Sequence, residues 1–149
     1  SAKMLLWAGL LHDIGKALVS PTVLTKTSNF TEEDFAAMEP HVQYGWDMLN
    51  EVHDWTAHII VRHHQFGTNP YPKELPPLPG YLEAKVEMIT DAARLLAMAD
   101  YYDALMHRNN DKNGQKPLTS KQRREIYLKD HAAQKELVEL LESVGVLKF

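Results

Sequence analysis

The amino-acid sequence predicts an all-α protein, and three observations carry that reading. Apolar and amphipathic segments of helical length fill most of the chain. Helix-start signals punctuate them: Ser20-Pro21, Thr31 with Asp34, and Thr119 with Gln122. No segment reads as a strand, and no internal repeat is visible.

Residues 2–14 read as a helix that is apolar nearly all round and therefore buried. Gly15 suits its C-terminal stop. Ser20-Pro21 places an N-cap before a proline at the first helical position and opens a short helix through Thr25. After a loop over residues 26–30, Thr31 and Asp34 make a variant capping box. Pro40 interrupts, and residues 41–52 continue as helix. Asp54 caps the next helix, which runs to about His64. Residues 65–80 hold five of the eight prolines and read as an ordered loop, since a linker would be Ser/Gly-rich or charged. A long helix follows over residues 82–107, then a polar, turn-like stretch over 108–117. Two amphipathic helices, 120–129 and 131–144, close the chain.

Composition narrows the function. A length of 149 residues fits one domain with a single core. Net charge is −4 and no basic block stands out, which argues against a DNA groove binder. The absence of cysteine excludes disulfides and thiolate metal sites and makes a reducing cytoplasm the default compartment. The longest apolar run, residues 4–11, is far too short to span a bilayer.

Six residues share one property. His12, Asp13, His41, His63, His64 and Asp100 each lie at or beside the end of an apolar helical segment. Ionisable groups in such places cost free energy unless they are paired or bound to metal. Imidazole and carboxylate together suit Zn, Mn, Fe, Ni or Mg. Each residue alone has a plainer reading as a polar helix end or a satisfied core group. A network of six such groups without an ion is costly. His53, His58 and His131 read as surface or satisfied residues, and Asp103 and His107 as part of a polar face with Asp100.

The order of the signals adds to this. HDIGK (12–16), HVQYG (41–45), the pair His63-His64 and MADYYDAL (98–105) occur in turn. That order resembles the HD superfamily of metal-dependent phosphohydrolases. More narrowly it resembles the HD-GYP branch, whose characterised members hydrolyse the bacterial second messenger cyclic di-GMP. The resemblance covers about residues 5–107 and includes LLHDIGKALVSPTVLTKTSNFTEEDF, EPHVQYGWDML, IIVRHHQF and ARLLAMADYYDAL.

It implies an HD-domain-like helical bundle with two or more divalent ions. It implies hydrolysis of a phosphodiester, in a cyclic dinucleotide or another phosphoester, by metal-activated hydroxide. His12 and Asp13 would be metal ligands, with Asp13 bridging. His41, His63 and His64 would serve a second or further ion, and Asp100 would complete the first site. Asp13 and Lys16 would be catalytic, and Lys16, Tyr71 and Arg108 would bind substrate. A sensor, receiver or diguanylate-cyclase-type signalling partner fits such a domain, and the exposed face of the last two helices allows a homodimer. The alternative is an inactive HD-GYP-like module that binds a nucleotide or a partner protein.

The chain departs from the branch in three places. No His, Asp or Glu precedes His12, so a single domain over 1–149 that lacks one or more N-terminal helices is expected. Gln65 stands for Glu, and Pro70 for the Gly of the GYP turn. LMHRNNDKNGQKP (105–117) puts Arg108 one residue from its expected place, with no aromatic after it.

Overall fold

The computed structural model describes residues 2–27, 29–107 and 117–149, and the regular elements among them are all helical. The all-α expectation holds. Two compact units divide the chain, Ser1–Ala97 and Met98–Phe149.

In the first unit, α1 covers Ala2–Leu11. It is shorter than expected and is not buried all round. Ala8 is fully buried while Leu6 and Leu10 are 62% and 67% exposed. An apolar surface on every side does not guarantee a partner on every side: α1 packs against α5 (Asp54–Ile60) along one face, and Met4, Ala8 and Leu11 join the core there. After a turn at His12 and Asp13 the chain enters a 3₁₀ helix, Ile14–Leu18. Gly15 therefore does not stop α1.

Gly15 permits a close approach instead. A Cβ on it would lie 1.9 Å from the His41 carbonyl oxygen and 2.5 Å from the Gly45 nitrogen, so only hydrogen fits. Gly45 is the reciprocal contact: a Cβ there would meet Ile60 Cδ1 at 3.2 Å and Ile14 Cγ2 at 3.6 Å. Both glycines let the 3₁₀ turn lie on α4 (His41–Leu49).

Local signals set the next elements. The short α2 (Pro21–Leu24) begins on its proline. Thr31 and Asp34 form the expected capping box of α3 (Glu32–Met38), and Lys26 pairs with Asp34. Every residue of α5 from Trp55 to Ile60 is buried, so this helix is the hub of the first core. It stops at Ile60, and His63–Phe66 form a separate 3₁₀ turn rather than a continuation. Residues 67–79 follow as an irregular loop. The long helix expected over 82–107 is two pieces, α6 (Gly80–Glu83) and α7 (Val86–His107), with Ile89, Ala93 and Leu96 in the first core.

The second unit has its own core of Met98, Tyr127, Val138 and Leu147. Thr119 and Gln122 form the expected capping box of α8 (Ser120–Asp130). Arg124 grips Glu142 with two hydrogen bonds of 2.7 and 2.9 Å, joining α8 to α9 (Lys135–Ser143). Beyond α9, Gly145 takes φ 75°; its N–H donates to Glu142 and that of Val146 to Leu141, a Schellman termination. The hydroxyl of Tyr102 donates to the Lys148 carbonyl and accepts from the Lys148 N–H, fastening the C-terminal strand of chain. No helix among the described residues is long and apolar enough to cross a membrane.

Two stability outcomes follow. Gly15→Ala forces backbone apart and should cost about 3 kcal/mol, read as a lower urea midpoint at unchanged m value. Tyr127→Phe removes the 3.0 Å bond from the buried Tyr127 hydroxyl to the Met98 carbonyl and should cost about 1 kcal/mol in the same assay.

Candidate metal centre

Helix ends, not helix faces, assemble the polar cluster. Adjacent residues on a helix diverge by about 100°, so His12 and Asp13 can serve one place only if the helix has ended. It ends at Leu11, and Asp13 sits at φ −101°, ψ 7°, in the bridge region frequented by active-site residues. The close approach at Gly15 then brings this turn to the start of α4, where His41 is the first residue. Asp13 Oδ1 lies 3.5 Å from His41 Nε2, and Asp13 Oδ2 lies 3.4 Å from His12 Nε2.

The His63-His64 pair arises the same way. α5 breaks at Val61 and Arg62, and the tight turn that follows brings the two rings to 3.9 Å between centroids. His41 lies 5.9 Å from the His63 ring and 5.3 Å from the His64 ring, and His12 stands edge-on to His63 at 5.4 Å. Ligand atoms of His41, His63 and His64 all fall within 4.8 Å of one another.

Three of the imidazoles are oriented by one repeated device. Nδ1 of His12 bonds the Gly9 carbonyl at 2.8 Å, that of His41 the Met38 carbonyl at 2.8 Å, and that of His63 the Ile60 carbonyl at 2.5 Å. A carbonyl only accepts, so each Nδ1 carries a proton, and in the neutral ring Nε2 is then the nitrogen with a lone pair to offer. That is the neutral tautomer, fixed by a backbone carbonyl, that a divalent ion requires. His41 and His63 are each 1% exposed. The donor set of imidazole nitrogens and a carboxylate fits borderline divalent ions.

Asp13 is the anionic member. Burial works against its ionisation, but the hydrogen bond and positive charge of Lys16 help hold the carboxyl well below the usual carboxylate range. Lys16 Nζ donates to Asp13 Oδ2 at 2.5 Å.

Of the other sequence candidates, Tyr71 joins the cluster. Its ring stacks on His64 with centroids 4.4 Å apart and planes 22° apart. Asp100 lies half-buried on α7 in the second unit. Arg108 lies outside the described residues. Asp103 and His107 are exposed and hydrogen-bonded at 2.9 Å, as on a polar face. Sequence reasoning did not single out Gly45, whose signal was a glycine inside a helix. Nor did it single out Arg62, and it read His58 only as a surface or satisfied residue. His58 is buried beside Trp46 at 4.6 Å, and burial, then the charge of Arg62, push its imidazole below the ordinary value.

The fit to a divalent ion is measurable. Mn²⁺ or Zn²⁺ at about 100 times its Kd should stabilise the protein by ~2.7 kcal/mol, or ~5–10 °C in Tm, and a chelator should reverse this. His41→Ala and His63→Ala should each remove the shift. An unsubstituted protein whose Tm ignores all of these ions would overturn the assignment.

Comparison with known proteins places this geometry. A model of the HD domain family matches residues 1–105. A 3'3'-cGAMP-specific phosphodiesterase 2 of Vibrio cholerae is 30% identical over 147 residues, covering 94% of this chain and 26% of the relative. The cyclic di-GMP phosphodiesterase response regulator RpfG of Xanthomonas campestris is 33% identical over 104 residues, 66% of this chain and 25% of the relative. A cyclic di-GMP phosphodiesterase of Thermotoga maritima is 31% identical over 117 residues, 75% of this chain and 29% of the relative. The chain thus spans about a quarter of the length of these curated relatives. No solved structure gives a significant match. A turn-borne His-Asp pair, a helix-initiating histidine and a second histidine pair, matched along residues 1–105, establish that the chain belongs to the HD domain family.

Proposed function

We propose that this chain is a metal-dependent phosphodiesterase domain that hydrolyses a cyclic dinucleotide, with cyclic di-GMP or 3'3'-cGAMP as the substrate class. The observation that carries the reading is the convergence of His41, His63 and His64 within 4.8 Å, next to an ionised Asp13. The names of the relatives point to the same substrate class.

Divalent ions, at least two and drawn from Fe, Mn, Mg, Ni and Zn, would supply Lewis-acid activation of water and charge neutralisation at the phosphodiester. His12 and Asp13 would help hold one, and His41, His63 and His64 another. The residues have separable tasks. The three histidines whose Nδ1–H groups are tied to carbonyls present Nε2 lone pairs without having to reorient. Asp13, whose charge Lys16 favours, would be the anionic ligand. Lys16 is a compact cation three residues from Asp13 and offsets charge on the non-bridging phosphoryl oxygens. Tyr71, flat against His64, offers a ring face to a base or ribose, and Arg108 would contact a phosphate. A receiver-type partner is in keeping with the response regulator among the relatives.

The test is metal analysis with a turnover assay in Mn²⁺ or Fe²⁺, using cyclic di-GMP, 3'3'-cGAMP, the linear dinucleotide and a chromogenic phosphodiester. Asp13→Asn should abolish turnover. Lys16→Met should lower kcat/KM by about 10²-fold while metal content stays constant. If metal binds and all four substrates survive, the chain is a binding module and the hydrolase reading fails.

A further inference from the structure

The proline-rich loop after the histidine pair is held by two side chains for which the metal reading has no task. Five of the positions between 65 and 80 are proline, and each of these offers a carbonyl without an amide. Side chains supply donors to it: within the segment Lys73 Nζ donates to the Pro70 carbonyl at 2.8 Å. Arg62 supplies them on one side: Nη2 donates to the Pro76 carbonyl at 2.8 Å, while Nη1 donates to the His58 carbonyl and approaches His58 Nδ1, both at 3.0 Å. Guanidinium has no lone pair, so His58 Nδ1 is the acceptor and its proton is on Nε2. Gln65 supplies the other side, with Nε2 donating to the Pro72 carbonyl at 2.8 Å. Between these anchors sits Tyr71, its N–H 3.4 Å from the His64 carbonyl and its ring stacked on the His64 imidazole.

Arg62, His63, His64 and Gln65 are consecutive, so both straps and both histidines leave the same short turn. The geometry points to Arg62 as the positioning residue of this loop: by spanning His58 and Pro76 it holds Tyr71 against His64 and fixes one wall beside the histidine cluster. Arg62 is half-buried and its guanidinium is spent on two carbonyls and an imidazole. A planar fork reaches acceptors in two segments at once; an ammonium on a flexible stem cannot hold both. His58, sealed under Trp46, is the fixed post to which the loop is tied. The consequence for substrate rests on the phosphodiesterase reading: the loop sets how tightly a nucleotide is held, not how ions are bound.

The test uses Arg62→Lys, Arg62→Met and Gln65→Leu in the intact protein. Two readouts are taken besides activity: metal per chain, and hydrogen exchange at the Tyr71 amide. The expected result for the Arg62 variants is unchanged metal content and Tyr71 exchange at least about tenfold faster at retained helicity. KM for cyclic di-GMP should rise about tenfold with kcat nearly constant, because a preorganised wall has been loosened. Gln65→Leu should move the same quantities in the same direction, and Arg62→Met with Gln65→Leu should be non-additive, since both straps hold one loop. Arg62→Lys keeps the stem and the charge, so it decides the matter if Arg62→Met does not fold. Unchanged Tyr71 exchange in the folded Arg62 variants overturns the proposal, as does metal loss in step with KM, which would place the effect on the histidines. Should the unsubstituted protein turn over no substrate, the phosphodiesterase reading fails while the exchange result still decides the role of Arg62.

Discussion

The site depends on one contact between two stretches of backbone. The Gly15 Cα lies so close to the His41 carbonyl that no larger residue fits. That contact seats the turn after α1 on the first residue of α4. Without it the Asp13 carboxylate and the His41 imidazole would belong to separate surfaces; with it they stand 3.5 Å apart. Gly45, one turn further along α4, lets Ile14 and Ile60 close in from either side, so the same approach also seats α4 on α5. The core below is ordinary aliphatic packing around α5. What is specific is that two missing side chains allow three helix ends to meet.

Helix ends also solve the problem of aiming imidazoles. A histidine in mid-helix has its preceding carbonyls engaged in the helix ladder. At a helix end or in a 3₁₀ turn, the carbonyl three residues back can accept from a ring nitrogen, and His12, His41 and His63 all use it. Fixing each ring through the main chain removes rotamer freedom that a ligand would otherwise have to remove.

Much of this was legible in the residues because it is local. The capping boxes at Thr31/Asp34 and Thr119/Gln122 are three-residue patterns that need no tertiary partner, and both are present. Pro21 opened α2 for the same reason. The His and Asp groups able to hold a metal were legible as residue type at apolar segment ends, and the family as the order of four blocks. What stayed hidden is non-local. Apolarity on all sides of α1 said nothing of which side has a partner. Gly15 reads equally as a helix stop or as a close approach until His41 is known to face it. The break before His63 leaves no proline or glycine signal. Arg62 acts on Pro76, fourteen residues away, and no short pattern spans that interval. The separate core around Tyr127 depends on Leu147 and Met98 meeting, a pairing that spacing does not show.

The lysine of the first motif carries a further implication. Its ammonium rests on Asp13 Oδ2, the oxygen that also faces His12. One carboxylate oxygen cannot serve a lysine and a divalent cation at full strength together. Occupancy of the centre and the direction in which the lysine's charge points would therefore be linked. On the reading proposed above, a bound ion would free this cation for an incoming anion, and by reciprocity an anion that drew the lysine away would raise the affinity of the vacated oxygen for the ion. The ion pair within one turn of chain would in this sense be a competitor, coupling cation binding to anion binding.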